Sequence, residues 1–222
     1  MGTFLFEEII FGPVKSRRLG VSLGINLLPT KRKICNFNCI YCECGWTSQF
    51  EKTPGHLPKR EEVFDALNRK LTEMKASDRK PDVITYAGNG EPTLHPDFPG
   101  IIDDSIILRN KYFPDARIAV LSNSTTIKDQ SVKAALLKVD MNILKLDSAF
   151  DSTISIHNQP SSEINVKDLI NTLTGFNGKL IIQTLFLRGT YNGRVVDNTT
   201  AEELEAWINA IEKIGPSEVM IY

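Results

Sequence analysis

The sequence has few cysteines, and it confines them to one short stretch. All four lie between Cys35 and Cys44, and none occurs elsewhere among the 222 residues. Disulfides in exported proteins usually tie distant segments together. Four thiols so close together therefore argue against a disulfide framework and favour a metal site in a reducing compartment.

The sequence also lacks long apolar runs and an excess of either charge. No stretch approaches the roughly 20 apolar residues of a bilayer-spanning helix, and the first residues, MGTFLFEEII, contain two glutamates and no basic leader. The formal net charge of -1 gives no bulk signal for a polyanion-binding surface. We expect a cytoplasmic protein with no membrane partner.

Strand and helix patterns alternate along the chain, without internal repeats or a Gly/Ser linker. The predicted strands are Val21 to Leu28, Asp82 to Tyr86, Ile118 to Ser122, Asn142 to Leu146, Leu180 to Leu187 and Glu218 to Tyr222. The predicted helices are Lys59 to Ala76, Ile101 to Lys111, about Lys128 to Lys138, Val166 to Leu173, and one that a Thr200 to Glu203 capping box opens and that runs to about Ile214. This alternation predicts an α/β fold, a partial (β/α)6 TIM-like barrel with parallel strands, as a single domain over residues 1–222.

The cysteine stretch lies in a loop, about residues 29–46, directly after the first predicted strand. Cys35, Cys39 and Cys42 have C-x3-C-x2-C spacing, and Cys44 follows two residues later. Three thiolates on a short loop can hold three corners of a cubane cluster and leave the fourth iron open. The alternative is a structural zinc site in a non-enzymatic protein, which would use all four thiols in a closed shell, although C-x-C spacing is tighter than the usual zinc knuckle.

The segment CNFNCIYC resembles the signature loop of the radical S-adenosylmethionine (SAM) superfamily. The wider stretch FGPVKSRRLGVSLGINLLP…CNFNCIYCECG is similar to small Fe–S oxidoreductases that resemble wyosine synthases. The resemblance implies a [4Fe–4S] cluster on Cys35, Cys39 and Cys42 and SAM at its open iron. It further implies an electron from flavodoxin or ferredoxin and reductive cleavage of SAM to a 5′-deoxyadenosyl radical. That radical would abstract hydrogen from a nucleoside or tRNA, or from a peptide or protein; no residue is assigned as catalytic.

The resemblance also implies a SAM site at the ends of the next two strands. Gly88, Asn89, Gly90 and Glu91 resemble the superfamily's GGE segment, with Asn89 splitting the glycine pair. Glu91 or neighbouring carbonyls would accept hydrogen bonds from the SAM ammonium group. Ser122 and Asn123, where relatives carry polar residues, would contact the SAM ribose or carboxylate.

Four further residues are open to more than one interpretation. Tyr41, directly before the third cysteine, takes the position that lies near the adenine in the family, or it packs within the loop. Lys145 and Asp147 lie on one face of a strand, where they form an ion pair, bind SAM or face substrate. Cys44 has no place in the three-cysteine pattern, and a spare thiol is the preferred interpretation.

Overall fold

The core of the structure is a seven-stranded sheet with strand order β1-β2-β3-β4-β5-β6-β9. A computed structural model describes residues 4–47 and 55–222. The strands of this sheet are β1 (Ile10–Ser16), β2 (Gly20–Ile25), β3 (Val83–Tyr86), β4 (Arg117–Ser122), β5 (Met141–Lys145), β6 (Ile181–Thr184) and β9 (Glu218–Ile221). Strands β2 to β6 and β9 are parallel to one another, and the β2–β3 register pairs Leu23 with Ile84.

Helices connect the parallel strands. They are α1 (Arg60–Ala76), α2 (Phe98–Tyr112), α3 (Gln130–Leu136), α4 (Asp151–His157), α5 (Val166–Thr174) and α6 (Ala201–Ile214), with a short 3₁₀ helix at Pro92–Leu94. Helix α1 buries Val63, Leu67, Leu71 and Met74, which recur at helical spacing and so form one apolar face. The predicted α/β fold with six parallel strands is confirmed, and the sheet is open because β1 and β9 are its edges.

Strand β1 was not predicted. It pairs antiparallel with β2, and the register shifts between Phe11 and Val14 around Pro13. Polar residues and a proline interrupt the alternation that marks a strand, which is typical of an edge strand. The edge position explains why the segment has no clear strand signal.

The first predicted parallel strand ends three residues early. The side chain of Asn26 accepts a hydrogen bond from the Leu28 nitrogen and donates to the Leu28 carbonyl, at 3.2 and 2.9 Å. Such a local side-chain bond replaces the ladder bond that would extend the strand. The chain therefore turns into the cysteine loop at Asn26.

The predicted strand from Leu180 to Leu187 also ends early, at Thr184. The Leu185 nitrogen donates to Asp147 Oδ1 at 2.9 Å instead of continuing the ladder. The chain then forms an unpredicted antiparallel hairpin of β7 (Arg188–Tyr191) and β8 (Arg194–Asp197). Helix α4 was not predicted either, because its seven residues are too few for a clear periodicity.

The helix cap at Thr200 differs in one detail from the predicted capping box. Thr200 Oγ1 accepts from the Glu203 nitrogen at 3.3 Å, as predicted. The Glu203 carboxylate, however, accepts from the hydroxyls of Ser148 and Thr153 instead of returning to the cap. The acidic residue therefore joins α6 to the segment after β5.

Two apolar clusters fill the two sides of the sheet. The larger packs the helices against the outer face. The smaller lies on the inner face and consists of Val83, Ala119, Met141, Ile143, Ile181 and Met220, with Leu19 and Leu121 packed against it. Since most of these residues lie early in their strands, the inside of the partial barrel is filled there and open at the carboxyl ends.

Candidate active site

The cysteine loop forms one wall of a cavity at the carboxyl ends of the parallel strands. All four cysteines are half-buried, and the cavity that they line has a volume of about 170 Å³. Its lining comprises Lys33, Cys35, Phe37, Cys39, Tyr41, Cys42, Cys44, Gly88, Gly90, Glu91, Leu121, Ser122, Asn123, Lys145 and Gln183. Eleven of the twelve predicted site residues either line this cavity or form a hydrogen bond with a residue that lines it. The exception is Asn89.

The glycine turn after β3 holds the cysteine loop by backbone bonds. The Ile34 nitrogen donates to the Asn89 carbonyl at 2.9 Å, and the Glu91 nitrogen donates to the Ile34 carbonyl at 3.0 Å. A Cβ atom on Gly90 would lie 1.8 Å from the Ile34 oxygen, and its φ is +138°. Gly90 is therefore required for the loop to pair with this turn.

The structure does not bring the Asn89 side chain to the cavity. Its amide nitrogen donates to the carbonyls of Phe6 and Pro29, each at 2.9 Å, and its oxygen accepts from the Phe6 nitrogen at 2.8 Å. The residue is fully buried. Asn89 thus joins the turn to two other segments, and its geometry offers nothing to SAM.

Glu91 is in the cavity wall, but internal donors occupy both of its carboxylate oxygens. One oxygen accepts from the Thr93 nitrogen and hydroxyl at 3.1 and 2.5 Å, and the other accepts from the Asn123 nitrogen at 2.6 Å. Burial raises the pKa of Glu91, and these hydrogen bonds offset part of that rise. Glu91 therefore joins the turn after β3 to the end of β4.

Asn123 bonds the end of β4 to the cysteine loop. Its amide nitrogen donates to Asn36 Oδ1 at 2.6 Å and to Cys35 Sγ at 3.6 Å. Its amide oxygen accepts from the Thr125 nitrogen at 3.1 Å. Ser122 is also buried, and its hydroxyl accepts from the Ser124 nitrogen at 3.1 Å.

Tyr41 and Asp147 lie in a buried hydrogen-bonded group on the opposite wall. The Tyr41 hydroxyl donates to the Asp147 carboxylate, and Asn158 Nδ2 donates to the same oxygen at 2.7 Å. Lys145 Nζ lies 3.6 Å from Asp147 Oδ1 and 5.3 Å from the centre of the Tyr41 ring. Lys145 and Asp147 thus form an ion pair, which is one of the three interpretations that the sequence left open, and of the two only Lys145 lines the cavity.

The four thiols differ in their electrostatic surroundings. Burial raises the pKa of Cys35 to about 12 and also raises the pKa of Cys39. A hydrogen bond from Cys44 lowers the pKa of Cys42 to about 5, with a further contribution from the Lys33 cation, and the same bond raises the pKa of Cys44. Cys42 is therefore the thiol that ionises most readily, with Cys44 as its donor.

Sequence reasoning did not assign Lys33 and Asn158 to the site. Lys33 is 5% exposed, lines the cavity and donates to the Gly45 carbonyl at 3.0 Å. Asn158 is fully buried at the end of α4, and its amide nitrogen lies 3.3 Å from Cys39 Sγ. Proximity to the cysteines was a signal for Lys33, whereas nothing local marked Asn158.

Comparison with known families identifies this arrangement. The family model described as the radical SAM superfamily matches residues 32–189, which include the cysteine loop and the ends of strands β3 to β6. This chain belongs to the radical SAM superfamily. The cofactors of this family are a [4Fe–4S] cluster and SAM, which argues against the structural zinc site that the sequence left open.

Two curated relatives cover almost the whole chain but are longer than it. A Brachyspira hyodysenteriae protein named GTPase Obg is 32% identical over 216 residues, which are 96% of this chain and 29% of that protein. A Helicobacter pylori J99 protein named UPF0026 is 29% identical over 214 residues, 95% of this chain and 64% of that protein. The chain thus spans less than two thirds of the length of either relative. Most of the protein named GTPase Obg lies outside the region that matches this chain.

Solved radical SAM structures share the fold. SuiB of Streptococcus suis superposes with a TM-score of 0.59 at 15% identity, over 89% of this chain and 39% of that one. An archaeal TYW1 superposes with a TM-score of 0.50 at 16% identity, over 87% of this chain and 61% of that one. Identities this low establish the common fold only.

The side chains of the cavity fit the cofactors of the family. Three thiols from the C-x3-C-x2-C loop line one cavity, and amide nitrogens of Asn123 and Asn158 lie within hydrogen-bonding distance of two of the sulfurs. Among residues 4–47 and 55–222, no three His, Cys, Asp or Glu side chains are arranged to hold a single metal ion.

In the same part of the chain, no helix is both long and apolar enough to cross a membrane.

Proposed function

We propose that Cys35, Cys39 and Cys42 hold the [4Fe–4S] cluster and that Cys44 is not a ligand. The observation that carries this proposal is the common cavity of these thiols and the Gly88–Gly90 turn, at the carboxyl ends of the strands. Ligands of parallel α/β sheets bind at this edge. The single S–H of Cys44 has two acceptors within reach, the Gly88 carbonyl at 3.4 Å and the Cys42 sulfur, so Cys44 has protein partners of its own.

SAM then lies against the wall that Gly88, Gly90, Ser122 and Lys145 form. The bound cofactors supply the chemistry, which is reductive cleavage of SAM and abstraction of hydrogen from the substrate. The chain orients the cofactors. Glu91 joins the wall segments that follow β3 and β4, and Lys145 presents a cation beside the Tyr41 ring. Such a single-domain oxidoreductase needs a one-electron donor, for which we propose flavodoxin or ferredoxin in the cytoplasm.

A nucleobase-bearing substrate, a nucleoside or tRNA, is supported by two aromatic rings that meet at the end of the cysteine loop. Trp46, two residues after Cys44, is 52% exposed, and its ring lies nearly parallel to that of Tyr191, with centroids 6.4 Å apart. Arg194 is the direct cross-strand partner of Tyr191, so both project from one face of the β7–β8 hairpin. Aromatic rings and a guanidinium group suit stacked bases and phosphate. A peptide or protein substrate is the second candidate.

The test of this function is formation of 5′-deoxyadenosine by anaerobically reconstituted protein with SAM and dithionite. We expect slow, dithionite-dependent formation without substrate. Cys35→Ala, Cys39→Ala and Cys42→Ala should each lose the cluster and the product, because each removes one of three protein ligands.

Cys44→Ala is the matched control for these variants, since it removes a thiol from the same loop and should retain iron content and product formation. A Cys44→Ala protein without cluster would contradict the ligand assignment. Wild-type protein that is loaded with cluster, binds SAM and is reduced, yet forms no 5′-deoxyadenosine, would contradict the function itself.

A further inference from the structure

Two buried asparagines from distant parts of the chain direct amide nitrogens at two of the cysteine sulfurs. Asn123 Nδ2 lies 3.6 Å from Cys35 Sγ, and Asn158 Nδ2 lies 3.3 Å from Cys39 Sγ. The asparagines are 7% and 0% exposed. These sulfurs belong to the two thiols whose surroundings are the most desolvated, so a donor has its largest effect there.

The surrounding groups fix which end of each amide faces the sulfur. Asn123 Oδ1 accepts from the Thr125 nitrogen at 3.1 Å, so its nitrogen must point toward Cys35 and the Asn36 oxygen. Asn158 Nδ2 lies 2.7 Å from an Asp147 carboxylate oxygen, which can only accept. A reversed amide would set oxygen against oxygen at that contact. Both sulfurs therefore face N–H groups.

Backbone bonds also hold Asn158 against the cysteine loop. The Asn38 nitrogen donates to the Asn158 carbonyl at 2.9 Å, and Ile40 donates to the His157 carbonyl at 2.9 Å. Backbone hydrogen bonds thus join the end of α4 to the cysteine loop on both sides of Cys39. The Asn158 amide has two hydrogens for three acceptors, which are Asp147, the Tyr41 oxygen and the sulfur.

We propose that Asn123 and Asn158 are positioning residues that set the reduction potential of the cluster by donating hydrogen bonds to its Cys35 and Cys39 thiolates. The inference rests on the proposed ligation by these cysteines. Reduction adds one electron, and hydrogen bonds to ligand sulfurs stabilise the more negative state. The two amides therefore raise the potential and ease electron transfer from the external donor.

The experiment is an anaerobic redox titration of reconstituted protein, with the EPR signal of the reduced cluster as readout. Asn123→Leu and Asn158→Leu remove the amides with little change in volume. We expect each variant to bind a full cluster and to show a lower midpoint potential than wild type. Asn123→Leu is the cleaner variant, because it does not also remove a donor from Asp147.

Asn198→Leu is the matched control. Asn198 is an equally buried asparagine whose amide donates to the Asp147 and Leu185 carbonyls but contacts no sulfur. Its removal should leave the potential unchanged.

The possible outcomes separate this inference from the proposed function. If reconstituted wild type shows no [4Fe–4S] signal, the proposed function fails. If the clusters form but Asn123→Leu matches wild type, the inference is overturned, whether or not Asn158→Leu folds. A higher potential would also overturn it, since water reaching the cluster stabilises the reduced state and shifts the potential upward.

Discussion

At the scale of single residues, the groups that face the cavity differ from those that build its walls. Gly88, Gly90 and Lys145 line the cavity, whereas the side chains of Asp147 and Asn89 form hydrogen bonds with other protein groups. Buried polar groups need hydrogen-bond partners, so the side chain of a polar residue near a site often binds other protein groups instead of a ligand. Within this site, Glu91 is the residue whose two possible roles require an experiment.

We predict that Glu91→Gln weakens SAM binding while the protein keeps its cluster. The neutral side chain loses the charge that would attract the SAM ammonium group. A charged hydrogen bond is worth about 1.5 to 3 kcal/mol, so affinity should fall roughly tenfold to a hundredfold. Gln keeps the acceptor of the Thr93 bonds, which Ala would remove, and loses only the acceptor of the Asn123 nitrogen, which then faces the amide NH2 group. Equilibrium binding of SAM to iron-quantified protein measures the effect.

Thr93→Val is the control for Glu91→Gln. It removes a hydroxyl that donates to Glu91 at 2.5 Å but leaves the carboxylate in place. SAM affinity should be retained in this variant. Unchanged SAM affinity in Glu91→Gln would mean that Glu91 only supports the wall.

At the scale of elements, the site depends on the docking of two loops that follow neighbouring strands. The loop after β2 carries the cysteines, and the turn after β3 pairs with it through Ile34 and Gly90. This pairing continues the β2–β3 contact past the ends of both strands. The position of the thiols relative to the rest of the cavity therefore depends on the backbone approach at Gly90.

We predict that Gly90→Ala separates the cysteine loop from the turn. The added Cβ would meet the Ile34 oxygen at 1.8 Å in a left-handed conformation that favours glycine. Strain and overpacking of this kind cost about 2 kcal/mol or more in the free energy of unfolding. Urea unfolding measures the stability, and iron content after reconstitution, which should fall, reports on the loop.

Gly189→Ala in β7 is the control for that variant, because nothing lies within 4 Å of its added Cβ. Its stability and iron content should match those of wild type. If Gly90→Ala were as stable and as rich in iron as Gly189→Ala, the loop would not depend on this contact.

At the scale of the whole molecule, the open barrel leaves its chemistry exposed at one end. The inner apolar cluster fills the other end, and Tyr191 of the β7–β8 hairpin meets Trp46, which follows the cavity-lining Cys44 by two residues. The arginine between β1 and β2, Arg18, lies over the ring of Tyr222 at 3.7 Å and donates to the Ile221 carbonyl. The first and last segments of the sheet therefore come together although their strands do not pair.

We predict that the Trp46–Tyr191 pair binds bases of a single-stranded RNA oligonucleotide. With SAM present, binding should quench the fluorescence of exposed Trp46, while Trp207, only 8% exposed, serves as a constant background. Tyr191→Ala should weaken binding roughly fivefold to a hundredfold, since stacking is worth about 1 to 3 kcal/mol per base.

Val195→Ala is the control for the pair, because Val195 is 79% exposed in the same hairpin and pairs with Thr190, not with Tyr191. It should bind the oligonucleotide as wild type does. Equal affinity of the Tyr191→Ala and Val195→Ala proteins would exclude the ring pair from binding. Quenching by a phenylalanine-containing peptide but not by RNA would favour the peptide class.

Features that depend on short spacings could be predicted from the sequence. Cys35, Cys39 and Cys42 share a loop whatever the rest of the chain does, and the two-residue spacing of Lys145 and Asp147 predicted that they lie near each other. The alternation of apolar strands and helices likewise predicted six parallel strands and the edge at which the site lies. The edge strand β1 and the hairpin have weaker local patterns and were missed.

Contacts between polar groups from distant parts of the chain depend on the three-dimensional packing. Asn158 reaches a sulfur 119 positions away, and Asn123 reaches one 88 positions away, because the parallel strands β2 to β5 bring their carboxyl ends to one edge. The same packing turned Asn89 away from the cavity toward Phe6 and Pro29. Buried polar groups pair with whatever neighbours the fold supplies, and that pairing leaves no trace in the local sequence.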